Sequence, residues 1–308
     1  MAIVNTGLTK RYGAKQVVTD LSFSVEPGRV TGFLGPNGSG KSTTMRMMLG
    51  VHRPTSGQTR FDGQKYADIQ YPGRVVGAML DARSVDGSRT ARNHLLWVAA
   101  CARISDERVD EALDLVGLTG VASRTVGGFS LGMHQRLGIA AALVGNPQYL
   151  ILDEPTNGLD PEGIHWMRDF FRRCAAEGRA VLVSSHLLSE LELYVDDLVV
   201  IAAGHLISAG SLAEFTTQAG TAETVRVNSP TLDRLREVLV SRQLQVVDQD
   251  GVILVSGASA AIIGDVAAAN GITIHELTTL RESLEDAFLR ITSGRAEYQS
   301  GTTDGAPS

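Results

Sequence analysis

The chain has 308 residues, of which 43% are hydrophobic and 20% are charged, and its formal net charge is -6. This size allows one large domain, or a large domain and a small one, and the acidic balance excludes a chain built for non-specific nucleic-acid binding. No stretch of about 18 uninterrupted apolar residues is present, so we expect no membrane span.

The first two thirds of the chain alternates predicted strands and helices. Three strands come first and lead into a glycine-rich loop, after which helices rich in alanine and leucine separate short apolar strands. This α/β alternation predicts a mainly parallel sheet covered by helices. The predicted strands are 2–6, 17–25, 29–34, 149–152 and 180–184, and the predicted helices are 42–49, 91–116 and 134–145.

After about residue 215 the pattern changes to a β-α-β-β-α-β order, which predicts a small α+β domain of the ferredoxin-like type over residues 222–292. Thr279 and Glu282 have capping-box spacing for a closing helix, and residues 293–308 have the composition of a disordered tail. The predicted strands are 223–227, 244–247, 252–255 and 272–276, and the predicted helices are 231–241, 259–269 and 283–291.

The glycine-rich loop fits the pattern G-x-x-x-x-G-K-[ST], in which backbone N–H groups converge on phosphate oxygens. We expect Lys41 to reach the β- and γ-phosphates of ATP, and the Ser42 hydroxyl to bind Mg²⁺. The predicted nucleotide-binding residues are Gly35, Pro36, Asn37, Gly38, Ser39, Gly40, Lys41, Ser42 and Thr43.

Two acidic residues follow the predicted strand 149–152. Asp153 would be delivered by this buried strand to the nucleotide edge of the sheet, where it would hold Mg²⁺. Glu154 is the candidate base that orients and deprotonates the attacking water. In isolation such a pair is often only solvated at a strand end, but the phosphate-binding loop favours the catalytic interpretation.

The turn Ser130-Leu131-Gly132, ahead of the helix at 134–145, would by itself be only a helix cap. Its place between the loop and the acidic pair, within Phe129-Ser130-Leu131-Gly132-Met133, resembles the LSGGQ element of ABC transporter ATP-binding subunits. It keeps the serine and one glycine and, followed by Gln135-Arg136, is similar to the version in bacterial bacitracin, lantibiotic and multidrug exporters.

This resemblance covers residues 2–215 and implies both a fold and a dimer. It implies a P-loop NTPase domain over residues 1–215, with an antiparallel N-terminal β part and a helical subdomain at about 82–140. It also implies that Ser130, Leu131, Gly132 and Asp160 act across a dimer, on the nucleotide bound by a second copy.

The resemblance assigns further residues to the site. His186, after the strand 180–184, would contact the γ-phosphate and the attacking water, and Tyr12 would stack on adenine. Asp81 stands where the family usually has a glutamine that contacts Mg²⁺, so it is a third candidate metal ligand. We assign no chemistry to the other histidines, which are His52, His94, His134, His165, His205 and His275.

The resulting functional hypothesis is a homodimeric ATPase that uses ATP and Mg²⁺ to power a separate integral-membrane permease, with no nucleic-acid partner. Export of a drug, antibiotic or peptide is the transport that the resemblance implies. The paucity of cysteines, with no disulfide framework, and an N-terminus without a signal pattern indicate a cytoplasmic protein, which would lie on the inner face of the cell membrane.

Two alternatives come from other functional classes. One is an ABC-type ATPase that acts on ribosomes or DNA, although the chain has neither the two fused ATPase units nor the long coiled coils usual there. The other is an interaction protein in which residues 222–292 bind a regulator or small molecule. Within the leading hypothesis, the small domain would stabilise the dimer or regulate it.

Overall fold

The computed structural model of the chain describes residues 2–218, 224–249 and 251–280. Contacts between residues divide it into two units, with the boundary between Phe215 and Thr216. Within these described ranges, no helix combines the length and the apolar character needed to cross a bilayer.

The elements of the first unit alternate in the way that the sequence predicts. Its strands are β1 (Ile3–Tyr12), β2 (Lys15–Val25), β3 (Val30–Leu34), β4 (Ser56–Phe61), β5 (Val76–Met79), β6 (Tyr149–Leu152), β7 (Ala180–Ser185), β8 (Asp197–Ala202) and β9 (His205–Ser211). Its helices are α1 (Lys41–Met48), α2 (Ala91–Cys101), α3 (Glu107–Leu115), α4 (Leu131–Leu143), α5 (Pro161–Ala176) and α6 (Leu188–Leu191), and α7 (Leu212–Gln218) spans the boundary.

A six-stranded sheet in the order β5-β6-β7-β3-β8-β9 forms the centre of this unit. Each neighbouring pair is parallel except β8 and β9. Every residue of β3, β6 and β7 is buried, which is the pattern of a parallel sheet covered on both faces. Since these three strands are parallel neighbours, their carboxyl ends lie together at one edge of the sheet.

A three-stranded antiparallel sheet in the order β2-β1-β4 packs against the larger one. Ile3 pairs with Val25 on one side and Phe61 on the other, and these residues share a core with Phe33 of β3 and Tyr149 of β6. The predicted mainly parallel sheet with an antiparallel N-terminal β part is therefore confirmed.

In the chain, the helices α2, α3 and α4 come after β5 and before β6, and they pack on one another. The prediction of one helix over 91–116 was wrong, because α2 stops at Cys101. Arg103 has a φ of 53°, its N–H donates to the Ala100 carbonyl, and the Ile104 N–H donates to the Ala99 carbonyl. This pair of bonds is the Schellman helix end, which usually uses glycine.

The second unit contains β10 (Thr224–Asn228), α8 (Leu232–Ser241), β11 (Gln245–Gln249), β12 (Val252–Ser256), α9 (Ala260–Ala269) and β13 (Glu276–Leu280). Its sheet has the order β11-β12-β10-β13 with antiparallel neighbours, as the split βαβ pattern requires. Buried residues of both helices and of the strands β10 and β12 form a core of its own.

The predicted strand 272–276 was wrong, because the last strand starts only at Glu276. Ile272 instead closes α9: its N–H donates to the Ala267 carbonyl, Gly271 before it has a φ of 63°, and its side chain packs into the core. Thr279, predicted to cap the next helix, lies in β13. The predicted helix 283–291 and the tail 293–308 lie outside the described residues.

Candidate functional site

The glycine-rich loop joins β3 to α1 at the carboxyl edge of the six-stranded sheet. Gly38 and Gly40 have φ values of 79° and 106°, which glycine adopts without steric cost. A Cβ on Gly35 would lie 2.5 Å from the Ile201 carbonyl oxygen, and one on Gly40 would lie 3.0 Å from the Val17 carbonyl oxygen. The loop therefore curves tightly at the N-terminus of α1, where N–H groups suit an anion.

The turn between β8 and β9 is hydrogen-bonded to this loop. The Gly204 N–H donates to the Ser39 carbonyl at 3.0 Å, and the Gly204 carbonyl accepts the N–H of Thr19 at 2.8 Å. A Cβ on Gly204 would overlap the backbone of Val17. The β8–β9 turn therefore connects the loop to β2 through backbone hydrogen bonds.

Lys41 at the start of α1 is almost completely buried. Its Nζ donates to the Gly35 carbonyl at 2.6 Å and lies 3.4 Å from Oε1 of Glu154. Burial lowers the pKa of Lys41 from its ordinary value, and the nearby carboxylates of Glu154 and Asp153 partly oppose this effect. A polyanion in front of the loop would stabilise this buried cation further.

Asp153 and Glu154 follow the last residue of β6 and are held by Ser184 of the neighbouring strand β7. The Ser184 hydroxyl donates to Asp153 Oδ1 at 2.5 Å and accepts the Glu154 N–H at 2.9 Å. Because Ser184 is fully buried, these two hydrogen bonds fix both acidic residues relative to β7.

The Glu154 carboxylate lies between a cation and an imidazole. Its Oε1 is 3.4 Å from Lys41 Nζ, and its Oε2 is 3.0 Å from Nδ1 of His186. Glu154 also has a φ of 48°, a left-handed conformation that costs on the order of 1–3 kcal/mol for a residue with a side chain. The side chain is 23% exposed, so the carboxylate is fixed in place yet can meet water.

A cleft of about 290 Å³ opens over the loop and brings most of the predicted nucleotide-binding residues together. Ser39, one of these residues, has a buried hydroxyl without a hydrogen-bond partner in the described part of the chain. A tight loop, a buried lysine and an unpaired hydroxyl fit a polyphosphate. The lining residues are Val17, Asn37, Gly38, Ser39, Gly40, Lys41, Ser42, Thr43, Glu154, Asn157 and His186.

Asp81 lies in an adjoining cleft of about 420 Å³, which Leu131, Gln135, Asp153, Glu154 and Asn157 also line. Its carboxylate accepts the Arg83 N–H at 2.9 Å and the Ser84 hydroxyl at 3.0 Å. The structure therefore brings Asp81 near the acidic pair, with both of its oxygens bonded to its own loop.

Ser130 caps the N-terminus of α4, and its Oγ accepts the Met133 N–H at 3.3 Å. The Ser130 carbonyl accepts a hydrogen bond from Nδ1 of His134 at 3.0 Å. Ser130 is exposed, and neither it nor Gly132 lines the two clefts. The turn therefore presents a helix N-terminus away from the nucleotide cleft of its own chain.

Asp160 caps α5, and its Oδ1 accepts the Gly163 N–H at 2.8 Å. The preceding turn packs against the start of α4, since a Cβ on Gly158, whose φ is 74°, would overlap the Leu131 side chain. Asp160 and Ser130 therefore occupy connected parts of the surface, and neither of them lines the two clefts, although Leu131 lines the second one.

Tyr12 ends β1 and does not line the nucleotide cleft, although Val17 of the following strand does. Its hydroxyl oxygen lies 2.7 Å from Nδ1 of His52, a histidine to which the sequence assigned no chemistry. Stacking of Tyr12 on adenine therefore stays a prediction.

Sequence reasoning missed several residues of the site. Ser184 could have been found as a polar residue at the end of an apolar strand. Asn157 lines both clefts, and Thr156, which is buried, donates to Oε2 of Glu190 on α6 at 2.9 Å. This last bond ties the turn after Glu154 to the helix after His186, and no local pattern signals it.

Comparison with known proteins relates the chain to one family. The family model described as "ABC transporter" matches residues 18–157, and a domain of unknown function matches residues 223–285. The chain is 36% identical over 301 residues to the bacitracin transport ATP-binding protein BcrA of Bacillus licheniformis, covering 95% of this chain and 97% of that protein. It is also 36% identical over 200 residues to the lantibiotic transport ATP-binding protein SrtF of Streptococcus pyogenes, covering 65% of this chain and 86% of that one.

Solved structures agree with these relatives. One described as "Structure of ATP binding subunit of ABC transporter" superposes with a TM-score of 0.65 at 28% identity, covering 71% of this chain and 93% of that one. Another, of the ADP conformation of an ATP-binding cassette, superposes with a TM-score of 0.61 at 25% identity, covering 70% of this chain and 92% of that one. The chain therefore belongs to the ATP-binding proteins of ABC transporters, a family of ATPases whose activity is coupled to transport.

Proposed function

We propose that the cleft over the loop binds the phosphates of ATP and that Glu154 is the base for hydrolysis. The observation that carries this proposal is the position of the Glu154 carboxylate, 3.4 Å from Lys41 and 3.0 Å from His186 at the edge of the loop cleft. The carboxylate is held by a lysine at one oxygen and by an imidazole at the other. In this position it can orient a water molecule and accept its proton.

Lys41 and His186 would contact the phosphates of ATP in this proposal. Its ammonium is buried against the Gly35 carbonyl, so it would meet the β- and γ-phosphates without a conformational search. His186, whose Nδ1 is engaged with Glu154, would use its other ring nitrogen toward the γ-phosphate. Both residues orient and stabilise charge, which is the main source of catalysis in phosphoryl transfer.

Mg²⁺ would be held by Ser42 and Asp153, with Asp81 as the third protein candidate. Among the described residues, no group of three or more His, Cys, Asp and Glu side chains could hold a metal by itself. Few protein ligands are usual for Mg²⁺, which takes its remaining ligands from phosphates and water. The ion would neutralise phosphate charge, and Ser184 would keep Asp153 in place.

A second copy of the chain would complete each site. Ser130, Leu131, Gly132 and Asp160 belong to the starts of α4 and α5, and Ser130, Gly132 and Asp160 do not line the clefts of their own chain. The exposed N-terminus of a helix attracts phosphate. We infer that ATP lies between the loop of one copy and the α4 start of the other, so that binding closes the dimer and hydrolysis opens it.

The closed and open dimers would drive a separate membrane permease from the cytoplasmic face of the cell membrane. Relatives that cover nearly all of this chain or its first unit are named for bacitracin and lantibiotic transport. Export of an antibiotic or peptide is therefore the transport that we propose for this subunit.

Replacing Glu154 with glutamine tests the proposal. Glu154→Gln keeps the hydrogen-bonding shape but cannot accept the proton, so we expect hydrolysis to fall by about 10²–10⁴-fold and an ATP-bound dimer to accumulate. Size-exclusion chromatography with light scattering would detect this dimer in ATP and Mg²⁺, and its absence when EDTA is added first would support the metal role.

Glu177→Gln is the matched control, because Glu177 is an exposed carboxylate at the end of α5. It should hydrolyse ATP as the wild type does. A Glu154→Gln variant that stays monomeric with ATP and hydrolyses at the wild-type rate would remove Glu154 from the mechanism.

A further inference from the structure

The Tyr12 ring is held on two sides although the residue is 43% exposed. Its hydroxyl oxygen lies 2.7 Å from His52 Nδ1, and the two rings meet edge to face with their planes at 82°. The Lys10 ammonium lies over the ring, 4.8 Å from its centroid. The hydrogen bond fixes the far end of the ring, and Lys10 occupies one face, so a second planar group would have to stack on the opposite face.

Both contacts depend on the same short stretch of chain, residues 49–55, which we call the bracing segment. His52 belongs to it, and Lys10 is anchored to it by a hydrogen bond from Nζ to the Arg53 carbonyl at 2.7 Å. Thr55 is hydrogen-bonded to the backbone of β1 on both sides of Lys10. The end of β1 is therefore attached to the bracing segment at several points.

The bracing segment continues directly from α1, the helix that begins at Lys41 of the phosphate-binding loop. The His52 N–H donates to the carbonyl of Arg46 in α1 at 3.1 Å, so the imidazole is tied to the end of this helix. One helix of eight residues thus has the phosphate loop at its start and the support of Tyr12 at its end.

We propose that His52 is a positioning residue for recognition of the base, which holds Tyr12 at a fixed place relative to the phosphate loop. This inference rests on the stacking role that the family resemblance predicts for Tyr12. Without the hydrogen bond, the Tyr12 side chain would sample other rotamers, and binding of the base would have to restrict it again. His52 thereby favours ligands that carry a planar base over ligands with phosphates alone.

The test compares two ligands on the full chain by titration calorimetry with Mg²⁺. One is the non-hydrolysable β,γ-imido analogue of ATP, and the other is inorganic tripolyphosphate, which lacks the base. His52→Leu and Tyr12→Phe should each weaken binding of the analogue by about threefold to tenfold, the usual effect of one hydrogen bond. Neither variant should change binding of tripolyphosphate.

The double variant should bind the analogue no more weakly than either single variant, because both remove the same hydrogen bond. His275→Leu, at an exposed histidine of the second unit, is the matched control and should bind both ligands as the wild type does. A His52→Leu variant that loses affinity for tripolyphosphate to the same degree would indicate general distortion and would overturn the inference.

Tyr12→Ala separates failure of this inference from failure of the predicted stacking role of Tyr12. If Tyr12→Ala loses affinity for the analogue while His52→Leu does not, the inference about His52 is wrong and the stacking role stands. If Tyr12→Ala binds the analogue normally, the stacking role itself is wrong, and the inference is overturned with it.

Discussion

Ser184 is the residue on which the placement of the two acidic side chains depends. Its buried hydroxyl bonds the Asp153 carboxylate and the Glu154 backbone, and both of these residues follow the end of the neighbouring strand β6. Removing the hydroxyl would leave two polar groups unpaired, at a cost of about 1–3 kcal/mol for each that stays buried. Glu154, whose φ is 48°, is the residue whose backbone would relax.

We expect Ser184→Ala to lower kcat for ATP hydrolysis by about tenfold to a hundredfold, because small displacements of a base have effects of this size. Affinity for ATP should change much less, since no atom of the phosphate-binding loop bonds to the Ser184 hydroxyl. Steady-state hydrolysis of the full chain, together with a binding titration, measures the two effects separately.

Thr31→Val is the control for this change. Thr31 is a buried residue of the neighbouring strand β3, and its hydroxyl has no hydrogen-bond partner among the described residues. Its removal should leave hydrolysis unchanged. If Ser184→Ala is as active as Thr31→Val, Glu154 holds its position without the serine.

At the residue scale, the sequence predicted those candidate site residues that belong to short continuous motifs. Lys41 and Glu154 were predictable because each belongs to a short motif with a fixed chemical role. The sequence does not reveal the hydrogen-bond partners of Ser184 and His52, because these partners are 31 and 40 positions away in the chain. Only the pairing of strands β6 and β7, and the return of the chain after α1 to β1, brings them to those partners.

Helix ends account for the main errors at the scale of elements. Glycines with left-handed φ follow α5 and α9, at Gly178 and Gly271, and glycine in a sequence marks such an end. Arg103 has the same conformation after α2 but gives no such signal, so two helices were predicted as one. Ile272 packs into the core directly after the end of α9. In the sequence, an apolar residue at this place resembles the start of a strand, and this is why a strand was predicted from residue 272.

Two serine N-caps, Ser130 and Ser259, allow the effect of a cap on stability to be distinguished from an effect on ATP hydrolysis. Ser130 and Ser259 are both N-caps, and their Oγ atoms accept the N–H three residues on at 3.3 and 3.4 Å. Ser130→Ala and Ser259→Ala should each cost about 1 kcal/mol of unfolding free energy. Only Ser130→Ala should also reduce ATP hydrolysis and ATP-dependent dimerisation, because only this serine is proposed to meet the nucleotide of a second copy.

Thermal unfolding measures the first effect, and light scattering of each change in the Glu154→Gln background measures the second. Equal dimerisation of the two variants would mean that Ser130 is a cap and nothing more.

At the scale of the molecule, each unit has a hydrophobic core. Among the described residues, the core around Phe33 and Tyr149 is formed within the first unit, and the core around Val225 and Ile253 is formed within the second. The order of elements in the second unit could be read from the sequence, because the apolar periodicity of each strand and helix is local. In the first unit, β4, β8, β9 and α5 were not predicted. The order of strands within each sheet is a property of the assembled fold.

Deletion of residues 222–308 should therefore leave a first unit that folds and binds ATP. We propose that the second unit stabilises the dimer or its coupling to the permease, so the deletion should weaken dimerisation or reduce the permease recovered with the chain. Affinity purification of tagged chains from solubilised native membranes measures recovery, by the amount of a polytopic membrane protein that accompanies each.

The full chain should bring down that protein in near-equal amount. Recovery of only a water-soluble partner by the full chain would contradict the transporter assignment for this molecule. Unchanged dimerisation and unchanged recovery after the deletion would contradict the role given to the second unit.

The backbone contacts behind the phosphate-binding loop have a consequence for how the molecule senses its nucleotide. The Gly204 N–H donates to the Ser39 carbonyl, and Gly40 of the loop lies close to the backbone of Val17, so we expect capture of a nucleotide to require little ordering of the loop and little loss of entropy. We expect a loop held in this way to receive ATP and ADP alike. On the roles proposed for Glu154 and His186, these two residues would carry the information about the γ-phosphate. Their turns, which are joined through Thr156 and Glu190, would then form the sensor of the transport cycle.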